Sequence, residues 1–299
     1  MVRKSQSFRI DEFARIVHPR DGHRKVFAMI DAYLDESGIQ TGAAMCAIAG
    51  YFGEQKHFRP FERDWKKVLA KFDVKLAELH AKDFVKDDRH KQLIKSLSAT
   101  IAQHKKIRPV SFGVVVNDFY SFSLDQRKFL TGATLRRGKF VSTGSPNKPY
   151  FVPFQLCVRV VTDHTPSGAK AHFFFGLDST FSGYATALFK QMETPNEHSD
   201  WQSRDRLGDP SFPKASETPQ LQAADLLVHL TYLHMLERHR EGKWLVQPQG
   251  NLRLCLRNAC CPSDHAFQDR STLVSHLKRI RALALKLGDW NSRLDDGLI

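Results

Sequence analysis

Two carboxylates, Asp35 in the string DESG and Asp225 in LQAADLL, stand almost two hundred residues apart, and each interrupts an apolar segment. FAMIDAYLDESG alternates with the period of a strand, which sets Asp31, Tyr33 and Asp35 on one face and Ala32 and Leu34 on the other. Asp35 falls at its end, where the chain turns. PQLQAADLLVHLTYLHML carries Leu221, Ala224, Leu227 or Val228 and Leu230 at helical spacing, with Asp225 inside the run. An unpaired carboxylate costs several kcal/mol to bury, so a cation should face it. Two such carboxylates from distant parts of one chain point to a shared divalent-metal site.

Further oxygen donors are found at other element ends. Asp178 follows the apolar run AHFFFGL and is the favoured third ligand; Asp118 follows VSFGVVV and competes with it, its alternative role being to cap a helix beginning near Phe119. Glu36 should point away from Asp35 if the strand continues. Gln222 lies three residues before Asp225 and either orients a ligand or faces solvent. Cys255, Cys260, Cys261 and His265 form C-x4-C-C-x3-H, which lacks the usual paired C-x2-C zinc spacing; structural cysteines are the simpler reading, and zinc stays open.

DESG, the mid-chain ELH at Glu78 to His80 and the late LQAADLL resemble the signatures of the domain-of-unknown-function family numbered three thousand eight hundred. The resemblance implies a ribonuclease H-like fold and, with it, a nuclease site. It adds Glu78 as a fourth metal ligand and His80 as an orienting or proton-transferring group; in an extended segment these two share a face. The implied set is Asp35, Glu78, Asp178 and Asp225 holding Mg2+ or Mn2+, with His80 assisting. Hydrolysis of a phosphodiester by two metals needs carboxylates that hold ions about 3.5 to 4 Å apart, one activating water and the other stabilising the leaving oxygen.

Elements to position these groups are readable. A hairpin is expected from DESG through AAMCAIAGYFG, then a helix marked by Phe61, Trp65, Val68 or Leu69 and Phe72, and another from about Asp87 to Lys105. VSFGVVV and AHFFFGL read as buried strands, with helices near Tyr120 to Leu135 and Tyr150 to Asp163 between them. Ser182 to Glu193 reads as a helix, Thr194 to Pro219 as a polar connection, and DHAFQDRSTLVSHLKRIRALALKL as a final helix with Leu273, Leu277, Ile280 and Leu287 as its stripe. This order suits an α/β layered sheet. The expected organisation is an arm over 1–25, a ribonuclease H-like domain over 26–240 with a mixed sheet flanked by helices, and a basic helical extension over 241–299.

Forty-five Lys and Arg against 32 Asp and Glu give +13, which favours a polyanionic partner. From Arg127 to Lys148 there are six basic residues and no acid, so Arg136, Arg137, Lys139 and Lys148 are candidate phosphate contacts, with a solvated loop as the alternative. Nucleic acid is the expected partner, DNA or RNA undecided. The basic N-terminus lacks the apolar core of a secretory signal, and no run approaches the roughly 18 apolar residues of a membrane span, so no membrane partner and a cytoplasmic location are expected. Five cysteines fit reduced thiols better than a disulfide framework. The leading expectation is a metal-dependent nuclease; the alternative is a non-catalytic nucleic-acid-binding or scaffold protein on the same fold.

Overall fold

A computed structural model describes residues 29–80, 87–132, 134–136, 139–141, 147–176, 182–193, 201–242 and 247–286. β1 (Met29–Ser37) and β2 (Met45–Glu54) form the expected antiparallel hairpin, followed by α1 (Gln55–Lys71), a 3-10 turn (Leu76–Glu78) and α2 (Asp88–Gln103). β3 (Arg108–Val115) pairs antiparallel with β2; α3 (Val116–Tyr120), α4 (Leu124–Leu130) and a small hairpin of β4 (Thr134–Arg136) and β5 (Lys139–Val141) come next. α5 (Phe151–Asp163) crosses to β6 (Lys170–Phe175), which lies parallel to β1, and α6 (Ser182–Glu193) crosses to β7 (Leu207–Ser211), parallel to β6. α7 (Pro219–Glu241), α8 (Gly250–Cys255), β8 (His265–Gln268) and α9 (Arg270–Lys286) complete the described chain.

The main sheet is therefore mixed, in the order β7-β6-β1-β2-β3-β8, with β2 running against the other five. β1 and β2 are central and covered on both faces, which is why β2 reads as a nearly unbroken apolar run. The pleat of β1 divides the core. Ile30, Ala32 and Leu34 join Phe154, Val158 and Phe173 on the α5 side; Tyr33 joins Phe58, Trp65, Leu221 and Leu227 on the side of α1 and α7. α1 buries Phe58, Phe61, Trp65 and Leu69, an i, i+3, i+7, i+11 stripe that packs beneath α7. α7 lies against β1 and β2, and its first half, Pro219 to Val228, is buried on almost every side because α1 and α2 cover what the sheet does not.

Three expectations are corrected. The helix expected over Tyr120 to Leu135 is two short helices and a strand, since Ser123 and Gln126 start α4 with a reciprocal capping box and Gly132, at φ +109°, follows its end. The connection from Thr194 to Pro219 contains edge strand β7, whose Pro210 is tolerated because an edge strand leaves one side unpaired. The start of the expected final helix is β8, which pairs with β3 through Ser111↔His265 to Val114↔Gln268. Leu273 and Leu277 of α9 are buried in the core on the α5 side, so β8 and α9 are part of the sheet and its packing.

Among the described residues, no helix is long and apolar enough to cross a membrane.

Candidate functional site

Asp35 sits near the end of β1, paired with Ala49 of β2, and its side chain lies on the α7 side with that of Tyr33. Gly38 explains the rest of DESG. Its φ is +76°, a left-handed turn that glycine adopts without strain, and an added Cβ would stand 2.1 Å from the Met45 carbonyl oxygen and 2.7 Å from the Tyr232 ring of α7. The turn after the carboxylate thus fits only because the fourth residue has no side chain.

Gly176 does the same for the carboxylate itself. The parallel register that pairs Leu34 with Phe175 carries on through the Gly176 N–H, which donates to the Leu34 carbonyl at 3.2 Å. A Cβ on Gly176 would lie 2.6 Å from Asp35 Oδ1. Asp35 consequently occupies the space that a side chain at position 176, just past β6, would fill, and the Glu36 N–H donates to the same Oδ1 at 3.0 Å.

Asp225 reaches this place from α7, close enough for its charge to act on Asp35. Burial holds the Asp35 carboxyl well above the usual carboxylate range, the negative charges of Glu36 and Asp225 raise it further, and the Glu36 N–H opposes them. A carboxylate whose proton affinity is raised by burial and by neighbouring acids, held at a strand end beside a helix that carries one of them, is a hard-oxygen group suited to a divalent cation.

His229 follows Asp225 by one helical turn and was not singled out by sequence reading. Its Nε2 is buried without a hydrogen-bond partner among the described residues; burial lowers the imidazole below its ordinary value, and Asp225 opposes that shift. The available signal was the i, i+4 spacing of Asp225 and His229 on an otherwise apolar helix.

Asp31 shares the face of Asp35 but lies four residues earlier, about 13 Å along the strand. Burial pushes its carboxyl up to about 6, against the opposing effects of His172 and a hydrogen bond with Tyr33. It belongs to a separate polar spot.

Gln222 is neither exposed nor open to a ligand. Its Oε1 accepts from Trp65 Nε1 at 3.2 Å, and its Nε2 donates to the Leu76 carbonyl, so the amide ties α7 to α1 and to the 3-10 turn that ends at Glu78. Glu78 closes that turn, and the backbone is extended at Leu79, the residue between Glu78 and His80. Leu79 between them is buried and His80 is exposed. Asp118 accepts from the Arg270 N–H at 2.8 Å and so serves the first turn of α9. Asp178 lies outside the described residues, two positions beyond Gly176.

Arg136 and Lys139 oppose each other across the β4–β5 hairpin, and Lys148 is exposed ahead of α5. Arg137 lies outside the described residues. The cysteine-rich segment does not converge as C-x4-C-C-x3-H. Cys255 is buried beside Tyr51 and Ser98, where burial pushes its thiol up to about 11; Cys260 and Cys261 are exposed. His265 lines a cavity of about 950 Å³, and burial and neighbouring His234 bring its imidazole down to about 4.

Comparison with family models, with curated proteins and with solved structures found no match.

Proposed function

We propose that this protein is a divalent-metal-dependent nuclease of ribonuclease H-like architecture, as its resemblance to the domain-of-unknown-function family numbered three thousand eight hundred implies. The observation that carries the reading is the approach of Asp225 to Asp35 across 190 residues of sequence, near enough for its charge to make Asp35, already raised by burial, harder to ionise. That arrangement is costly in a chain with no cation to hold and favourable in one that holds Mg2+ or Mn2+. A central carboxylate-bearing strand, one antiparallel partner and parallel crossover strands on its other side support the fold assignment.

Asp35 and Asp225 would hold the metal, with Asp178 and Glu78 proposed to complete the set. Mg2+ or Mn2+ bound there supplies Lewis acidity for attack on a phosphodiester. The chain's own contribution is to fix Asp35 against Gly176 and the Glu36 N–H, to present Asp225 from a rigid helix, and to keep a neutral imidazole, His229, one turn away. His80, exposed, is proposed to orient substrate or move a proton. Arg136, Arg137, Lys139 and Lys148 are proposed to grip the nucleic-acid backbone, giving salt-sensitive binding without sequence preference.

The test is cleavage of single-stranded and duplex DNA and RNA in Mg2+, Mn2+ and chelator by wild type, Asp35→Asn and Asp225→Asn. Metal-dependent cleavage that falls by orders of magnitude in both variants, with nucleic-acid binding retained, supports the nuclease. Metal-independent binding without cleavage in the wild type supports the scaffold instead.

A further inference from the structure

His164 closes α5, and Cys260 and Asp264 belong to the turn that leads into β8. One donor atom from each, an imidazole nitrogen, the thiol sulfur and a carboxylate oxygen, lie within 4.8 Å of one another. Asp264 is buried, at 3% exposure, yet its Oδ2 stands 3.3 Å from His164 Nε2 and accepts from the Cys261 N–H at 3.0 Å. Phe52 stacks on the His164 ring at 5.6 Å between centroids, which fixes the imidazole plane. Arg108 reaches the Cys260 sulfur.

Zinc bonds to nitrogen and oxygen of about 2.0 to 2.1 Å in a tetrahedral shell place those two donors roughly 3.3 Å apart. His164 and Asp264 already have that separation. Cys260 is exposed, so rotation about its χ1 can bring the sulfur in without repacking the core. The Asp264 carboxylate is oriented by the Cys261 N–H, as outer partners of bound ligands commonly do; burial raises the Cys260 thiol above its ordinary value, and Arg108 opposes that shift.

We propose that His164, Cys260 and Asp264 form a zinc-class metal site whose fourth position is open to water, pinning the turn before β8 to the end of α5. An imidazole and a thiolate select zinc or cobalt over magnesium, manganese and calcium, so this site is chemically distinct from the carboxylates at Asp35 and Asp225 and stands or falls separately from them. The residues come from segments 96 positions apart, His164 and Cys260, which explains why the sequence spacing of the cysteines alone gives no zinc signature.

The full chain, kept reduced with a non-thiol reductant, is titrated with Co2+ as a spectroscopic stand-in for Zn2+. The expected result is a near-ultraviolet sulfur-to-cobalt charge-transfer band whose amplitude corresponds to one thiolate-bound Co2+ per chain, lost on addition of Zn2+. Cys260→Ser, an exposed substitution that leaves the core intact, should abolish the band; His164→Ala should weaken Co2+ affinity at least about tenfold. Cys261→Ser and Asp35→Asn should keep the band. No band in the wild type, or a band that survives Cys260→Ser, overturns the proposal.

Discussion

A Cβ added to Gly176 would lie 2.6 Å from Asp35 Oδ1, so the missing side chain just past the end of β6 makes room for the carboxylate on β1. Gly176→Ala should therefore push Asp35 out of position without touching its chemistry. Affinity for Mn2+, measured calorimetrically, should drop about 10- to 100-fold, the range typical when a ligand's supports are removed, with the circular dichroism spectrum unchanged. Undiminished Mn2+ affinity in the alanine variant would remove Asp35 from the metal site.

The same crowding governs pH dependence. Asp31 and Asp35 both keep their protons in the folded chain above the range in which an unfolded Asp loses them. Between those ranges the folded state binds more protons than the unfolded one, so stability in chelator should fall as pH rises. For Asp31 the window runs from 3.8 to about 6, and Asp31→Asn should flatten the slope there. Asp35→Asn should make the metal-free protein more stable at pH 8, because a carboxylate that its surroundings disfavour is exchanged for a neutral amide. Urea titrations at pH 4 and 8, with chelator and with Mn2+, check both; Mn2+ should stabilise the wild type and not Asp35→Asn.

Gln222 makes a different claim, that helix α7 is locked to the turn bearing Glu78 by one amide. Gln222→Ala leaves Trp65 Nε1 without its acceptor in the core and frees the Leu76 carbonyl, at a cost of about 1 to 3 kcal/mol. Denaturant unfolding reads that loss. If Glu78 is a ligand, Mn2+ affinity should decline along with it, whereas a purely structural amide would lower stability and leave the affinity alone.

Much of this architecture is visible in the residues, and the exceptions have a common cause. β1, β2, β3 and β6 announce themselves by alternation or by unbroken apolar runs, and α1, α2 and α6 by their stripes. β7 contains Gly208 and Pro210, and β8 is the four residues HAFQ; both are strands because a neighbour offers a ladder, which local sequence does not record. The Asp35 and Asp225 pair stands out since each carboxylate breaks an apolar pattern. Gly176 does not, because its meaning depends on the parallel register that sets it beside Asp35. Gln222 looks like a surface residue on a helix until Trp65 is packed against it.

Asp118 and Asp225 are the last pair to separate, as both are acids adjoining apolar elements. Asp118 spends its carboxylate on the Arg270 N–H at 2.8 Å, in the first turn of α9, where a negative charge also meets the helix dipole favourably. Asp118→Ala should cost about 1 kcal/mol of stability, in keeping with loss of a helix cap. Metal affinity and any metal-dependent cleavage should be unchanged. Asp225→Asn should behave in the opposite way, keeping or raising stability in chelator because it relieves the repulsion on Asp35, and losing Mn2+ binding. Thermal unfolding and Mn2+ titration of the two variants side by side make the comparison; a loss of Mn2+ binding in Asp118→Ala would move the metal site to the α3–α9 contact and away from Asp35.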